Sequence, residues 1–410
     1  MSRIRTLIDT LCPGGVDYKP LGDVGTFTRG NGLQKKDFVE AGVPAIHYGQ
    51  IFTHYGTTAH LTQSFVAPAT ATRLRKATTG DLVIATTSET DEDVCKAVAW
   101  LGESDVAVSG DAYIYAHTLD PRYAAYFFQG RAFHDQKSRH VSGTKVRRVS
   151  GRDLASIRVP VPPIEIQREI ADILEKMERL EAELEAELEA ELEARRDQYG
   201  HYRRTLLTFD RGNDTEWSSL GEICTRVSSG GTPSTSHPEY YGGAIPWLRT
   251  QEVDYGVVRE TRMSITQSGL DNSSAKWIPA DTVIVAMYGA TAAKVAVAGA
   301  PMTTNQACCN LEIDPVRADF RFVFHWLVNE YERLRNLGEG SQSNLNAKKV
   351  KNYPIPLPSL EDQREIAAKL DRMYELTSDL ATGLPAEIAA RRHQYEHYRD
   401  QLLSFVERAA

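Results

Sequence analysis

The sequence predicts an α/β (mixed α+β) fold class in which two globular arms are joined by a pair of long helices, with an internal pseudo-twofold repeat. Three observations predict it. Residues Leu180 to Arg196 read LEAELEAELEAELEARR, and from Gln167 to Leu207 there is no proline and a single glycine, Gly200. Good helix formers over that span make a rod of ~60 Å at ~1.5 Å per residue. VPVPPIEIQREIADIL at Val159 to Leu174 reappears as IPLPSLEDQREIAAKL at Ile355 to Leu370, and ARRDQYGHYRRTLLTF at Ala194 to Phe209 reappears as ARRHQYEHYRDQLLSF at Ala390 to Phe405. Both pairs are offset by 196 residues, so two rods of equal length have unlike middles, the mark of a duplication in which the separation of the ends matters. The stretches before each rod mix strand and helix patterns. The division that follows is an arm over 1–163, a central helix over 164–209, a second arm over 210–359 and a C-terminal helix over 360–410.

With 410 residues and 41% hydrophobic content the chain can build a core in each arm. Met1 to Cys12 lacks the apolar core of a signal peptide, and no run approaches a membrane span. A cytoplasmic location is the expectation. Cys12, Cys95, Cys224, Cys308 and Cys309 form no C-x-x-C pair, which suits buried thiols rather than disulfides or zinc. The net charge of −8 divides into +3 for residues 1–164, −6 for 165–209, −2 for 210–360 and −3 for 361–410. The acidity is concentrated on the rods, as solvated glutamates around leucine, so a basic surface on an arm remains open.

In chain order, Asp81 to Thr87 and Val106 to His117 have strand patterns. Pro121 to Gln136 is helical, opening on a proline and carrying Tyr123, Ala124, Phe127, Phe128 and Ala132 at core spacing. The most basic stretch follows. Lys137, Arg139, Lys145, Arg147, Arg148, Arg152 and Arg158 face only Asp153, interleaved with Ser138, Ser142, Gly143, Thr144 and Ser150. Cations attract phosphate whatever the base sequence, and small hydroxyl residues let a backbone come close. A solvated basic loop is the bland alternative.

The second arm follows the polar joint Arg211-Gly212-Asn213. Ser228 to Ser234 contains G-G-T-P, which is neither a dinucleotide fingerprint nor a P-loop. Strands at Thr282 to Met287 and Lys294 to Ala298 enclose Tyr288-Gly289, and Asp319 to Leu337 is helical. Gly338 to Lys351, GEGSQSNLNAKKVK, takes the place of the basic loop but is richer in amides. Amides pair with adenine and arginines with guanine in a major groove, so unlike loops on like scaffolds suit a reader of two base sequences. Gln342, Asn344 and Asn346 could equally stabilise a turn.

Along the rods, Ile170, Ile173, Met177, Leu180, Leu184, Leu188 and Leu192 in the first and Leu370, Met373, Leu376, Leu380, Leu384 and Ile388 in the second make apolar stripes. An antiparallel coiled-coil pair accommodates both; a dimeric coiled coil is the alternative. Gly383-Leu384-Pro385 should kink or split the second rod. No N-P-P-[FY], G-x-G-x-x-G, P-loop, H-E-x-x-H or G-x-S-x-G is present. His201 and His397 hold matching places in the rods, which suits packing or partner contact better than acid–base chemistry. The acidic loop Thr87-Ser88-Glu89 with Asp91-Glu92-Asp93 is a weak candidate for a metal.

Taken together these residues resemble the specificity (S) subunits of type I restriction-modification systems (HsdS family). The resemblance is carried by V-P-V-P-P-I-E-I-Q-R-E-I at Val159 to Ile170 with I-P-L-P-S-L-E-D-Q-R-E-I at Ile355 to Ile366, by S-G-G-T-P-S at Ser229 to Ser234 with I-P-W-L-R at Ile245 to Arg249, by G-L-P-A-E-I-A-A-R-R-H-Q-Y at Gly383 to Tyr395, and by the L-E-A-E units. It implies two target-recognition domains, each reading half of a split double-stranded DNA site, with a helix pair setting the spacer. It also implies no intrinsic catalysis and no cofactor on this chain. Two modification subunits carrying S-adenosylmethionine would dock on the helices, and restriction subunits would bring ATP and Mg. On this resemblance the candidate DNA-contact residues are Lys35, Lys36, Lys137, Arg139, Ser142, Thr144, Lys145, Arg147, Arg148, Arg249, Gln342, Ser343, Asn344, Asn346, Lys348 and Lys349. Tyr199, His201, Tyr202, Tyr395, His397 and Tyr398 are the candidates for partner docking. A self-contained methyltransferase and a structural coiled-coil scaffold are the competing classes.

Overall fold

The computed structural model describes residues 2–210, 215–338 and 344–409. It forms two compact units, one made of residues 1–187 with 385–410 and the other of residues 188–384. The sequence divides the chain into arms and rods, whereas compactness divides it through the rods. The reason is burial: each arm packs onto one half of each long helix, Ile164–Leu206 and Leu360–Leu402.

In the first unit a five-stranded sheet runs Gly25–Arg29, Ala112–His117, Leu82–Ala85, Ala97–Trp100, Thr58–Ala59, antiparallel except for the last pair. Leu82–Ala85 and Ala97–Trp100 are buried along their whole length, which explains their unbroken apolar runs. The second unit repeats the order and the pairing senses with Cys224–Ser229, Cys308–Ile313, Val283–Ala286, Val295–Ala298 and Val257–Val258. A second sheet accompanies each, five-stranded in the first unit and four-stranded among the described residues of the second. Val106 to His117 is two strands in two sheets, Val106–Val108 and Ala112–His117, turned at Ser109 to Asp111.

The expected helix at Pro121 breaks into Pro121–Gln129 and Arg131–Lys137. Asp120 caps its start, accepting from Arg122 N and Tyr123 N. Extended backbone at Gly130 ends it, where a side chain would crowd Leu403 and where Asp400 accepts from Arg131 N. The second unit has the same break, between Phe320–Asn329 and Tyr331–Asn336.

The repeated Q-R-E-I now has a structural meaning. Gln167, 3% exposed, accepts from Asp120 N and donates to the Pro162 carbonyl; Gln363, 1% exposed, does the same with Asp319 N and the Pro358 carbonyl. Each glutamine ties the helix pair of an arm to the start of a long helix. Beside it Arg122 bonds Asp172 and Glu175, and Arg321 forks onto Asp371, which also bonds His325. Burial acts to raise Asp371, but its hydrogen bonds to His325 and Arg321 win and hold it at about 2. Gln363→Leu leaves a buried N–H and a buried carbonyl without partners, an expected loss of about 2–3 kcal/mol seen as a lowered unfolding midpoint by circular dichroism. An unchanged midpoint would show that the clamp is energetically idle.

Ile166, Ile170, Ala171 and Leu174, at the start of the first long helix, share a core with Leu402 and Leu403 at the end of the second. In the other unit Tyr199, late in the first helix, meets Tyr374, early in the second, at 6.1 Å. The pair is therefore antiparallel. Burial fades along the first rod, where Leu180 is 51% exposed and Leu184, Leu188 and Leu192 are half-buried. The second rod is not split: the helix continues through Pro385, which removes a single N–H from 43 residues. The five cysteines are free thiols, and Cys224 is half-buried rather than buried. No helix among the described residues is long and apolar enough to cross a membrane.

Candidate nucleic-acid interface

Sheet register gathers the basic segments of the first unit at one rim. Arg29, at the end of its strand, pairs with Tyr113, and Ala85, at the end of its own, pairs with Ala112. The loops beginning at Gly30, Thr86 and Ser109 therefore emerge together. Thr86 fastens two of them by donating its N–H and its hydroxyl to the Asp111 carbonyl.

The basic stretch joins this rim as a hairpin, where a loop was expected. Ser142 and Arg148 exchange backbone hydrogen bonds of 2.9 Å around Gly143, whose φ of +95° is one glycine adopts without strain. Arg147 and Arg148 then pair antiparallel with Ser88 and Thr87. Ser142, Thr144, Lys145, Arg148 and, just before the hairpin, Arg139 are exposed. Arg147 is held more firmly, with Nε 2.9 Å from Asp91 and Nη1 donating to the Gly143 carbonyl. The acidic loop thus supplies a counter-ion to the hairpin, and no group of metal-binding residues occurs among the described residues.

Lys137 is a correction. It is 1% exposed, and its ammonium donates to the carbonyls of Glu92 and Val94 over the face of Phe133. It is a tether inside the arm, its ammonium turned to backbone carbonyls rather than to the surface. Lys35 and Lys36 are exposed beside two cavities of about 440 and 290 Å³. Residues missed by the sequence reading line them: Arg29, Gln34, His47, Arg73 and Asp111. Burial, with Lys35 nearby, pushes His47 down, consistent with its Nδ1 accepting from Gly49 N. The available signal was R-G-N-G at Arg29 to Gly32, which holds the place of S-G-G-T at Ser229 to Thr232 in the repeat.

In the second unit the equivalent rim begins at Gly230, where a Cβ would come within 2.0 Å of the Thr304 carbonyl, so the backbone approach requires glycine. Thr232 bonds Gln306 there. Tyr288, 43% exposed, leads to Gly289, whose N–H donates to Asn344, while Leu345 N donates to the Met287 carbonyl. Asn346 caps Ala347–Lys351 by accepting from Lys349 N, so Asn344 and Asn346 do stabilise local structure. Lys348 is exposed, and Lys349 donates to the Leu337 carbonyl. Arg249 is half-buried, with its Nε enclosed. Gln342 and Ser343 lie outside the described residues.

Of the docking candidates, His201, Tyr202 and His397 are exposed and Tyr398 is half-buried. Tyr199 and Tyr395 are half-buried as well. Tyr199 packs on the core of its unit under Arg203, and Tyr395 packs on the other core with its hydroxyl enclosed.

One α/β fold present twice, with the same main-sheet order and unlike side chains, together with a long antiparallel helix pair, defines the class. The sequence profile of the type I restriction modification DNA specificity domain matches residues 13–194 and again 213–390. The specificity subunit of the Escherichia coli type I restriction enzyme EcoR124I/EcoR124II is 33% identical over 269 residues, 63% of this chain and 65% of that one, so the match spans just under two thirds of that relative. The HsdS subunit from Thermoanaerobacter tengcongensis superposes with a TM-score of 0.65 at 19% identity over 96% of this chain and 97% of its own. A chain from a structure describing complex assembly and conformational transition of a type I R-M system gives 0.68 at 19% identity over 95% and 98%. This chain belongs to the family of type I restriction-modification specificity subunits.

Proposed function

We propose that the chain is the DNA-reading, non-catalytic subunit of a type I restriction-modification complex. Each arm reads one half of a bipartite site in double-stranded DNA, and the helix pair sets the unread spacer and docks the modification subunits. The observation that carries this is the contrast of the rims. Equivalent strand ends lead to Arg29, Thr86 and Asp111 in one unit and to Ser229, Tyr288 and Gln306 in the other, which suits two different half-sites on one scaffold. Methyl transfer from S-adenosylmethionine belongs to the modification subunits, and ATP and Mg chemistry to the restriction subunits. His201, Tyr202, His397 and Tyr398 are the helix residues offered to partners.

The basic hairpin provides the test. In the complex assembled with its modification subunits, Lys145→Ala and Arg148→Ala each weaken binding to all DNA sequences and lower the salt slope of log K by ~0.9. Arg147→Ala lowers it less, because Asp91 already neutralises that guanidinium. Unchanged slopes for both Lys145 and Arg148 would leave the hairpin a solvated loop and count against DNA contact there.

A further inference from the structure

We propose that Arg29 reads a guanine in the half-site of the first unit, with Asp111 as the positioning residue that aims it. The proposal deepens the DNA-reading function above and rests on it. Arg29 is the last residue of its strand, and its backbone carbonyl accepts from Arg75 Nη1. Its Nε donates to the Gly110 carbonyl at 2.7 Å, and its Nη2 lies 3.4 Å from Asp111 Oδ1. Those two nitrogens share one edge of the guanidinium. The end edge, made of Nη1 and the second proton of Nη2, keeps two parallel N–H groups, the fork that fits O6 and N7 of guanine. Both side chains are well exposed, 60% for Arg29 and 44% for Asp111, so the fork is aimed without being buried.

Charge separates this role from a phosphate contact. A carboxylate beside an arginine repels a phosphate and weakens that use, whereas a base edge is neutral and tolerates it. Lys35, Lys36 and Arg73, around the same cavities, have no ion pair among the described residues and suit the backbone. Gly110, beside the held edge of the guanidinium, offers no side chain. A Cβ on Gly110 would meet nothing nearer than 3.8 Å, so packing does not demand glycine there. The second unit has Ser229 at the place of Arg29 and a Thr232–Gln306 contact near the place of Asp111, so guanine dependence of this origin belongs to one half-site only.

The test uses the chain in complex with its modification subunits, transferring labelled methyl groups from S-adenosylmethionine to DNA varied at each position of both half-sites. Expected for the unaltered complex is a guanine requirement at one position of the first unit's half-site. Arg29→Lys, which keeps the charge but loses the fork, lowers that preference by about ten- to a hundredfold at that position alone. Asp111→Asn lowers it less while tightening binding to unrelated DNA. An intact preference in Arg29→Lys, a uniform loss over all sequences, or a change in the other half-site overturns the proposal. Absence of any base preference in the unaltered complex would instead overturn the DNA-reading function itself. The untouched half-site reports that each variant is folded and assembled.

Discussion

Inserting one more Leu-Glu-Ala-Glu after Glu191 keeps both half-sites and lengthens the unread spacer by one base pair, with two the upper bound set by length. The helix is unbroken from Ile164 to Leu206, and the insert repeats the spacing of Leu184, Leu188 and Leu192, so the apolar stripe is prolonged without interruption. Four residues add ~6 Å and turn everything beyond them ~40° past a full revolution. One base pair of DNA adds ~3.4 Å and ~35°. Rotation therefore matches one base pair and length nearly two. Rotation governs, because an arm on the wrong side of the duplex meets no base edges, while a few ångströms are taken up by bending DNA. The second long helix runs through Pro385 unbroken, so DNA rather than a hinge there is the compliant part. Methylation mapping in cells carrying the variant with its partners should show the original site unmodified and the lengthened one modified. Full activity on the original spacer would show that this helix is not the ruler.

Replacing residues 210–360 by the same segment of a relative changes the second unit's half-site and leaves the first intact. The segment is closed by its own strands, since Glu216–Ser219 pairs antiparallel with Pro354–Leu357. Its grip on the long helices passes through Asp319 N, held by Gln363, Arg321, held by Asp371, and an apolar core shared with Leu207, Ala367 and Leu370, so a donor that keeps these contacts docks unchanged. Each wrong base pair costs about 1–3 kcal/mol, so a half-site altered at two positions falls by roughly 2–6 kcal/mol and the original target drops out of a methylation map. Alteration of both half-sites in a folded chimaera would mean that the arms do not read independently.

Much of this architecture was legible because it is written in repetition. Helix propensity and the absence of proline bounded the first rod to within a few residues, and the 196-residue offset announced the duplication before any strand was placed. The breaks at Gly130 and Glu330 were not legible locally. Their helical patterns continue through them, and the first is imposed by Leu403 and Asp400 from the far end of the chain. Proline at 385 misled in the other direction, since one missing donor does not end a helix of this length.

The rim divides along the same line. A run of cations advertises itself, and Lys145 and Arg148 are exposed as it suggests, but composition cannot tell an exposed lysine from one turned inward, and Lys137 was counted with them. Arg29, Gln34, His47 and Asp111 were missed because nothing within their own segments links them; only strand pairing brings residues 29 and 111 together. The sequence by itself determined the twofold repeat and the helical rods, since propensity and periodicity act over neighbouring residues, and its repeated motifs carried the resemblance to the family. Only the tertiary structure decided which charges face outward and which are spent on carbonyls and carboxylates inside, because that depends on sheet register between segments some eighty residues apart.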